Sequence, residues 1–184
     1  MPSIDEILAV DDTGLVVLAE TSAEEFQYCT SDLVRKVTEG GYNTIIITMN
    51  NPSALLRESY IKSGVDIEKV YFIDAITRYA LGAFPENKND NIYFISQPGN
   101  LTDIGIELNK SLAKLNGEKV CVIIDSINTM LIYVPSQTLI KFVHFVSNKL
   151  RLLHSLGIYI SISGSIDPML INLLKSFSDE IIEI

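Results

Sequence analysis

The sequence predicts a doubly wound α/β protein, with a mostly parallel sheet sandwiched by helices, and three observations carry that prediction. Short apolar runs rich in β-branched residues alternate with longer stretches of helical spacing. Runs such as TIIIT (44–48) and VCVIID (120–125) are continuously apolar rather than alternating, as in strands buried on both faces. Four or more such strands separated by helices imply parallel βαβ units, because each crossover covers a sheet face. The 184 residues fit one compact domain, 1–184, without internal repeat or linker.

The elements follow in order. LVVLA (15–19) reads as the first strand, bounded by Gly14 and by Glu20-Thr21-Ser22. Helical spacing then runs from Ala23 to Glu39, with Thr21 or Ser22 as its cap, and Gly40-Gly41 stops it. TIIIT is the second strand. Asn50-Asn51-Pro52 opens the next helix, since Asn caps well and Pro suits a first turn. VYFID (70–74) is the third strand, and the irregular segment 79–100 holds a short one, IYFIS (92–96). Thr102 is placed to cap a helix ending near Gly117, and VCVIID follows. A long helix over about 135–155, IYISIS (158–163), a short helix opened by Asp167-Pro168 and EIIEI (180–184) complete the chain.

Composition narrows the function classes. Hydrophobic residues at 47% and charged ones at 20% argue for a folded core and against disorder. A net charge of −9, from 14 basic and 23 acidic residues, argues against nucleic acid, whose phosphates are bound by Lys and Arg. Cys29 and Cys121 are far apart and lack a second ligand at metal spacing, which suits a reducing compartment. No apolar stretch reaches about 18 residues, and the acidic N-terminus lacks the features of a signal peptide. A cytoplasmic protein without membrane contact is therefore expected.

The order of these segments resembles the RecA superfamily, specifically the KaiC-like and RadA-related ATPases of archaea and bacteria. In that family an apolar strand runs into a Gly-rich phosphate-binding loop ending in Lys-Thr. Here the strand is LVVLA and the loop position holds ETSAEEFQ (20–27). Gly41, TIIITM, Asn50-Asn51, Pro52 and LLRESYIKSGVD stand where the family has a Gly, a strand, two glutamates, a Pro and a helix before Gly-x-Asp. YFIDA (71–75), VCVIIDS (120–126) and SFSDEIIEI (176–184) complete the resemblance, which spans residue 13 to the end. It implies a P-loop NTPase fold without a P-loop.

The resemblance also implies a site, and the residues argue against its ATPase chemistry. A phosphate cradle needs glycines for close backbone approach and a Lys for charge. ETSAEEFQ has neither, and carries Glu20, Glu24 and Glu25 where a triphosphate would sit. Asn50 and Asn51 occupy the position where the resemblance puts two glutamates, one of them polarising the attacking water, and a carboxamide takes no proton at neutral pH. Asp125, followed by Ser126, survives where the family holds the water shell of a magnesium ion. A lone carboxylate without phosphate co-ligands is a poor magnesium site. Thr21, Ser22, Asn50, Asn51, Asp125 and Ser126 therefore read as a vestigial nucleotide site, with no catalytic residue, metal or cofactor, and no ATP binding.

The long helix carries an unusually wide apolar stripe. Leu139, Ile140, Phe142, Val143, Val146, Leu150 and Leu153 form the core side, and Phe145, Leu152 and Leu156 widen it past what one sheet face needs. An interface with a protein partner or a second copy is one explanation, and an intrachain cover is the other. His144 and His154 stand about three turns apart on this helix, too far for a shared metal. The expectation is a nonenzymatic protein-binding subunit in regulation, signalling or assembly. Its rival is an enzyme or nucleotide-binding switch with a rebuilt site at the carboxyl edge of the sheet. That rim carries Glu20, Thr21, Met49, Asn50, Asp74, Asp125, Ser126 and Ser163-Gly164, a set suited to a cationic or neutral ligand.

Overall fold

A computed structural model describes residues 1–10, 14–86 and 88–184. Among these residues the strands are β1 (Val16–Thr21), β2 (Asn43–Thr48), β3 (Val70–Asp74), β4 (Ile92–Phe94), β5 (Val120–Asp125), β6 (Leu156–Ile162) and β7 (Glu180–Glu183). They form one sheet in the order β4-β3-β2-β5-β6-β1-β7, and every neighbouring pair is parallel. The predicted α/β sandwich is what the chain builds.

Alternation along each strand divides the core in two. Cys121 and Ile123 of β5 pack into one layer, Val122 and Ile124 into the other. Helices α1 (Ile4–Leu8), α2 (Phe26–Glu39) and α3 (Ser53–Lys62) cover the first layer with Ile4, Ile7, Leu33, Val37, Leu56 and Tyr60. A short helix, α4 (Thr77–Leu81), follows β3. The second layer lies under α5 (Leu101–Lys114), α6 (Ile127–Tyr133), α7 (Ser136–Leu152) and α8 (Pro168–Phe177), through residues such as Ile104, Met130, Val143 and Leu174. Both faces of the sheet are thereby covered, which is why its strands carry no polar alternation.

Several boundaries differ from the sequence reading, each for a physical reason. β1 runs two residues further, because Glu20 and Thr21 remain in register with Ser161 and Ile162 of β6. Residues 22–25 then form an exposed turn, so α2 starts at Phe26 rather than Ala23. Pro52, not Asn50 or Asn51, occupies the N-cap of α3. Asn100 caps α5 in place of Thr102, its side chain accepting from the Asp103 N–H at 3.1 Å. The expected helix over 135–155 is α7, preceded by α6, a separate helix that starts as soon as β5 ends. His154 lies beyond α7 with φ of 52°, so the two histidines do not share a helix. Leu156 opens β6 at 3% exposure. It belongs to the core between sheet and helix and is withdrawn from the exposed face.

Candidate functional site

The carboxyl ends of β1, β2, β3 and β5 bring the sequence-selected residues to one edge of the sheet. On β1, Thr21 is buried at 3% with its hydroxyl unpartnered, and its carbonyl accepts from Ser163 N–H at 2.9 Å. Ser22 is exposed; its hydroxyl donates to the Glu25 carboxylate at 3.1 Å and accepts from the Glu25 N–H at 3.2 Å. The turn is thus held by a serine–glutamate pair, and Glu24 and Glu25 sit exposed at the positive end of α2. Glu20 pairs with Lys175 of α8 at 3.1 Å, a contact that sequence spacing does not reveal.

At the end of β2, the Thr48 hydroxyl donates to the Asn51 carbonyl at 2.8 Å and folds the turn back on the strand. Asn50 is exposed and Asn51 half-buried. Thr48 stands in register with Asp74 on one side and Asp125 on the other. Asp74 is fully buried and accepts from the backbone N–H groups of Ser53 (2.8 Å), Ile76 (3.0 Å) and Thr77 (2.8 Å), and from the Thr77 hydroxyl (2.5 Å). It ties β3 to the starts of α3 and α4, so its role is architectural.

Asp125 is different. It is 1% exposed, and among the described residues neither carboxylate oxygen has a hydrogen-bond partner. Burial without compensation pushes its carboxyl up to about 7. It neither bonds the segment 20–23 nor faces water. Tyr60 of α3 lies on the same face, stacked on Phe72 with ring centroids 6.1 Å apart, and its hydroxyl is also buried and unpartnered. Burial first, and the Asp125 charge second, hold the Tyr60 phenol well above its ordinary range. Nothing in the run Ser59-Tyr60-Ile61 marks Tyr60 as part of this edge, since the α3 packing that brings it there depends on the tertiary fold.

Ser126 is buried and caps α6, accepting from the Thr129 N–H at 3.4 Å. The Asp125–Ser126 peptide bond is cis. Asn128, unremarked in sequence, accepts from the Ile162 N–H at 2.8 Å and donates to the Ser165 hydroxyl, joining α6 to the loop after β6. Asp125, Ser126 and Thr21 thus converge on the sheet edge with their side chains enclosed, while Ser22 and Asn50 face out. Among the described residues no group of three His, Cys, Asp or Glu could hold a metal, and no helix is long and apolar enough to cross a membrane.

On the second layer, Phe145 is 48% and Leu152 81% exposed on α7. Leu153, read as core-facing, is 50% exposed just past the helix end. Ile140 is half-buried against the core.

Solved structures share this fold, among them three from one archaeon. The KaiC-like protein PH0186 of the archaeon Pyrococcus horikoshii has a TM-score of 0.63 at 14% identity, over 93% of this chain and 72% of that one. The uncharacterized protein PH0321 of the same organism, solved with an unknown peptide, has 0.69 at 10% identity, over 98% and 81%. PH0250, also from P. horikoshii, has 0.64 at 13% identity, over 100% and 88%. At these identities the likeness establishes a RecA/KaiC-like fold. No curated protein matches the chain. Residues 13–184 match a defined family, and the chain belongs to the family of unknown function DUF7504.

Proposed function

We propose that this chain is a nonenzymatic RecA/KaiC-fold protein, a pseudo-ATPase with a degenerate Walker A segment, that works by binding other proteins in regulation, signalling or assembly. The observation that carries the reading is the exit from β1. Residues 20–27 hold no Gly and no Lys, and the turn before α2 presents Glu24 and Glu25 to solvent. A triphosphate of roughly three to four negative charges meets repulsion there instead of a cradle of N–H groups and a lysine.

Further features support it. Asn50 and Asn51 offer no general base beside β2. Asp125 is enclosed by protein, whereas a carboxylate that holds a hydrated magnesium ion must reach solvent. Losing the cradle, the neutralising charge and the water-activating acid together removes each part of phosphoryl-transfer catalysis. The apolar side chains left exposed on α7 favour a protein partner, and the peptide held by PH0321 is a precedent on this fold.

The test is calorimetric titration of the protein with Mg-ATP. No saturable heat is expected. A dissociation constant tighter than about 10 μM, roughly −7 kcal/mol, overturns the reading.

One observation favours a second reading. Asp125, Thr21 and Tyr60 leave buried polar atoms unpartnered on one face of the sheet, as a rebuilt site for a small cationic or neutral ligand does. A thermal-shift screen of metabolite amines and amides supports it only if the shift disappears in Asp125→Asn.

A further inference from the structure

The outer surface of the α5–α8 layer carries apolar side chains that the fold leaves uncovered. Ile106 of α5 is 46% exposed and Phe145 of α7 48%. Between these helices runs a groove of about 380 Å³ lined by Leu101, Gly105 and Ile106 on one side and Lys141, Phe142 and Phe145 on the other. Gly105 sits in a helix interior, where Ala is the better residue. A Cβ added there meets no atom of the described residues within 4 Å, so none of them requires the glycine. Its missing side chain leaves open space in the groove.

Charge separates the α7 wall of this groove from the rest of the molecule, while on α5 the Asp103 carboxylate accepts from the Asn100 amide at 2.6 Å and Glu107 pairs with Lys110 at 2.7 Å. From Ser126 to Ile166 the chain carries Lys141, Lys149 and Arg151 and not one Asp or Glu, although its net charge is −9. Arg151 is engaged by Asp179 at 3.1 Å. Lys141 and Lys149 make no ion pair among the described residues. Lys141 is the one charged side chain among the described residues lining the groove.

We propose that the α5/α7 groove docks an acidic amphipathic helix of another protein, with apolar anchors against Phe145 and above Gly105 and flanking carboxylates on Lys141 and Lys149. The assignment rests on the protein-binding reading and specifies the partner. A groove between two helices offers no unpaired backbone ladder to an extended strand, whereas it accepts a helix through anchors at i, i+3, i+4 and i+7. Two unpaired lysines fall short of the four to eight basic residues that hold a protein on an anionic bilayer. The excess of apolar over charged lining favours a helix with its own apolar stripe over a purely acidic segment.

The probe is a fluorescein-labelled Leu/Glu amphipathic peptide of about 18 residues, a helix as long as α7, compared by anisotropy with its Leu/Lys isomer. The Leu/Glu peptide is expected to bind at least about 10-fold more tightly, a difference of about 1.4 kcal/mol. Gly105→Leu, which fills the groove, and Phe145→Glu are each expected to lose that binding about 10-fold. Both variants keep the melting midpoint within about 4 °C of the parent, because the changed side chains point into open space or solvent. Equal binding of the two isomers, or no binding of either, overturns the proposal. So does a preference for phosphatidylserine vesicles over the peptide, or a dimer by light scattering that Phe145→Glu dissociates. Any of these results alongside silent Mg-ATP calorimetry removes the groove assignment and leaves the pseudo-ATPase reading standing.

Discussion

Asp74 at the end of β3 and Asp125 at the end of β5 stand opposite the same residue, Thr48, one on each side of β2. Both are buried to within 1%. Asp74 collects three backbone N–H groups and a hydroxyl, while Asp125 has no partner for either oxygen among the described residues. Equal burial therefore carries opposite meaning. The first carboxylate closes the turns that follow β2 and β3 through the four hydrogen bonds it accepts. The second is an ionisable group that the fold encloses without serving. Native interiors rarely leave such a group without a hydrogen-bond partner, a water or an ion. In our account it is the remnant of a nucleotide site whose other parts are gone.

Substitution separates the two. The largest effect is expected for Asp74→Ala, which strands three backbone donors and costs about 3–5 kcal/mol in urea unfolding at pH 7. A loss below about 1 kcal/mol would erase the distinction between the two sites.

Asp125→Asn is expected to act with the opposite sign, and its pH dependence is fixed by the raised carboxyl. Below the ordinary value of 3.8 the group is protonated in both states and contributes nothing. As pH rises from 3.8 to about 7 the unfolded chain releases the proton that the folded chain keeps, so stability falls. Above about 7 the penalty is complete, with an upper scale of about 4 kcal/mol from 1.36 kcal/mol per pKa unit. The variant should match the parent near pH 4 and exceed it at pH 8. Destabilisation at pH 8 would mean that the carboxylate has partners and belongs with Asp74.

Smaller effects sharpen the contrast. Ser126→Ala removes the cap of α6 and is expected to cost about 1 kcal/mol at any pH between 5 and 8. Tyr60→Phe removes an unpartnered hydroxyl and is expected to be neutral or slightly stabilising, by no more than about 1 kcal/mol, in the same unfolding assay. A larger loss would reveal a hydrogen bond between Tyr60 and Asp125.

The sheet was legible in the sequence because its strands are buried on both faces and therefore read as unbroken apolar runs. The α/β order followed from spacing, and the resemblance to RecA and KaiC followed from segment order. Boundaries set by tertiary pairing were not legible. β1 holds Glu20 and Thr21 because β6 pairs with them, and Leu156 is a strand residue because β6 begins directly after the turn that closes α7. Capping failed where two polar candidates stood close together, as with Asn100 and Thr102. Of the edge residues, Asp125 and Ser126 could be named from the strand ending in Asp-Ser. Their enclosure, and the approach of Tyr60 and Asn128, depend on helix packing that no local pattern encodes.

If this edge of the sheet does no nucleotide chemistry, phosphate release from Mg-ATP is the reaction to follow, in the parent and in Asp125→Asn. No turnover above buffer is expected for either protein, with both folded by circular dichroism. Turnover by the parent that disappears in Asp125→Asn, with the fold retained, would show a working site and contradict the account.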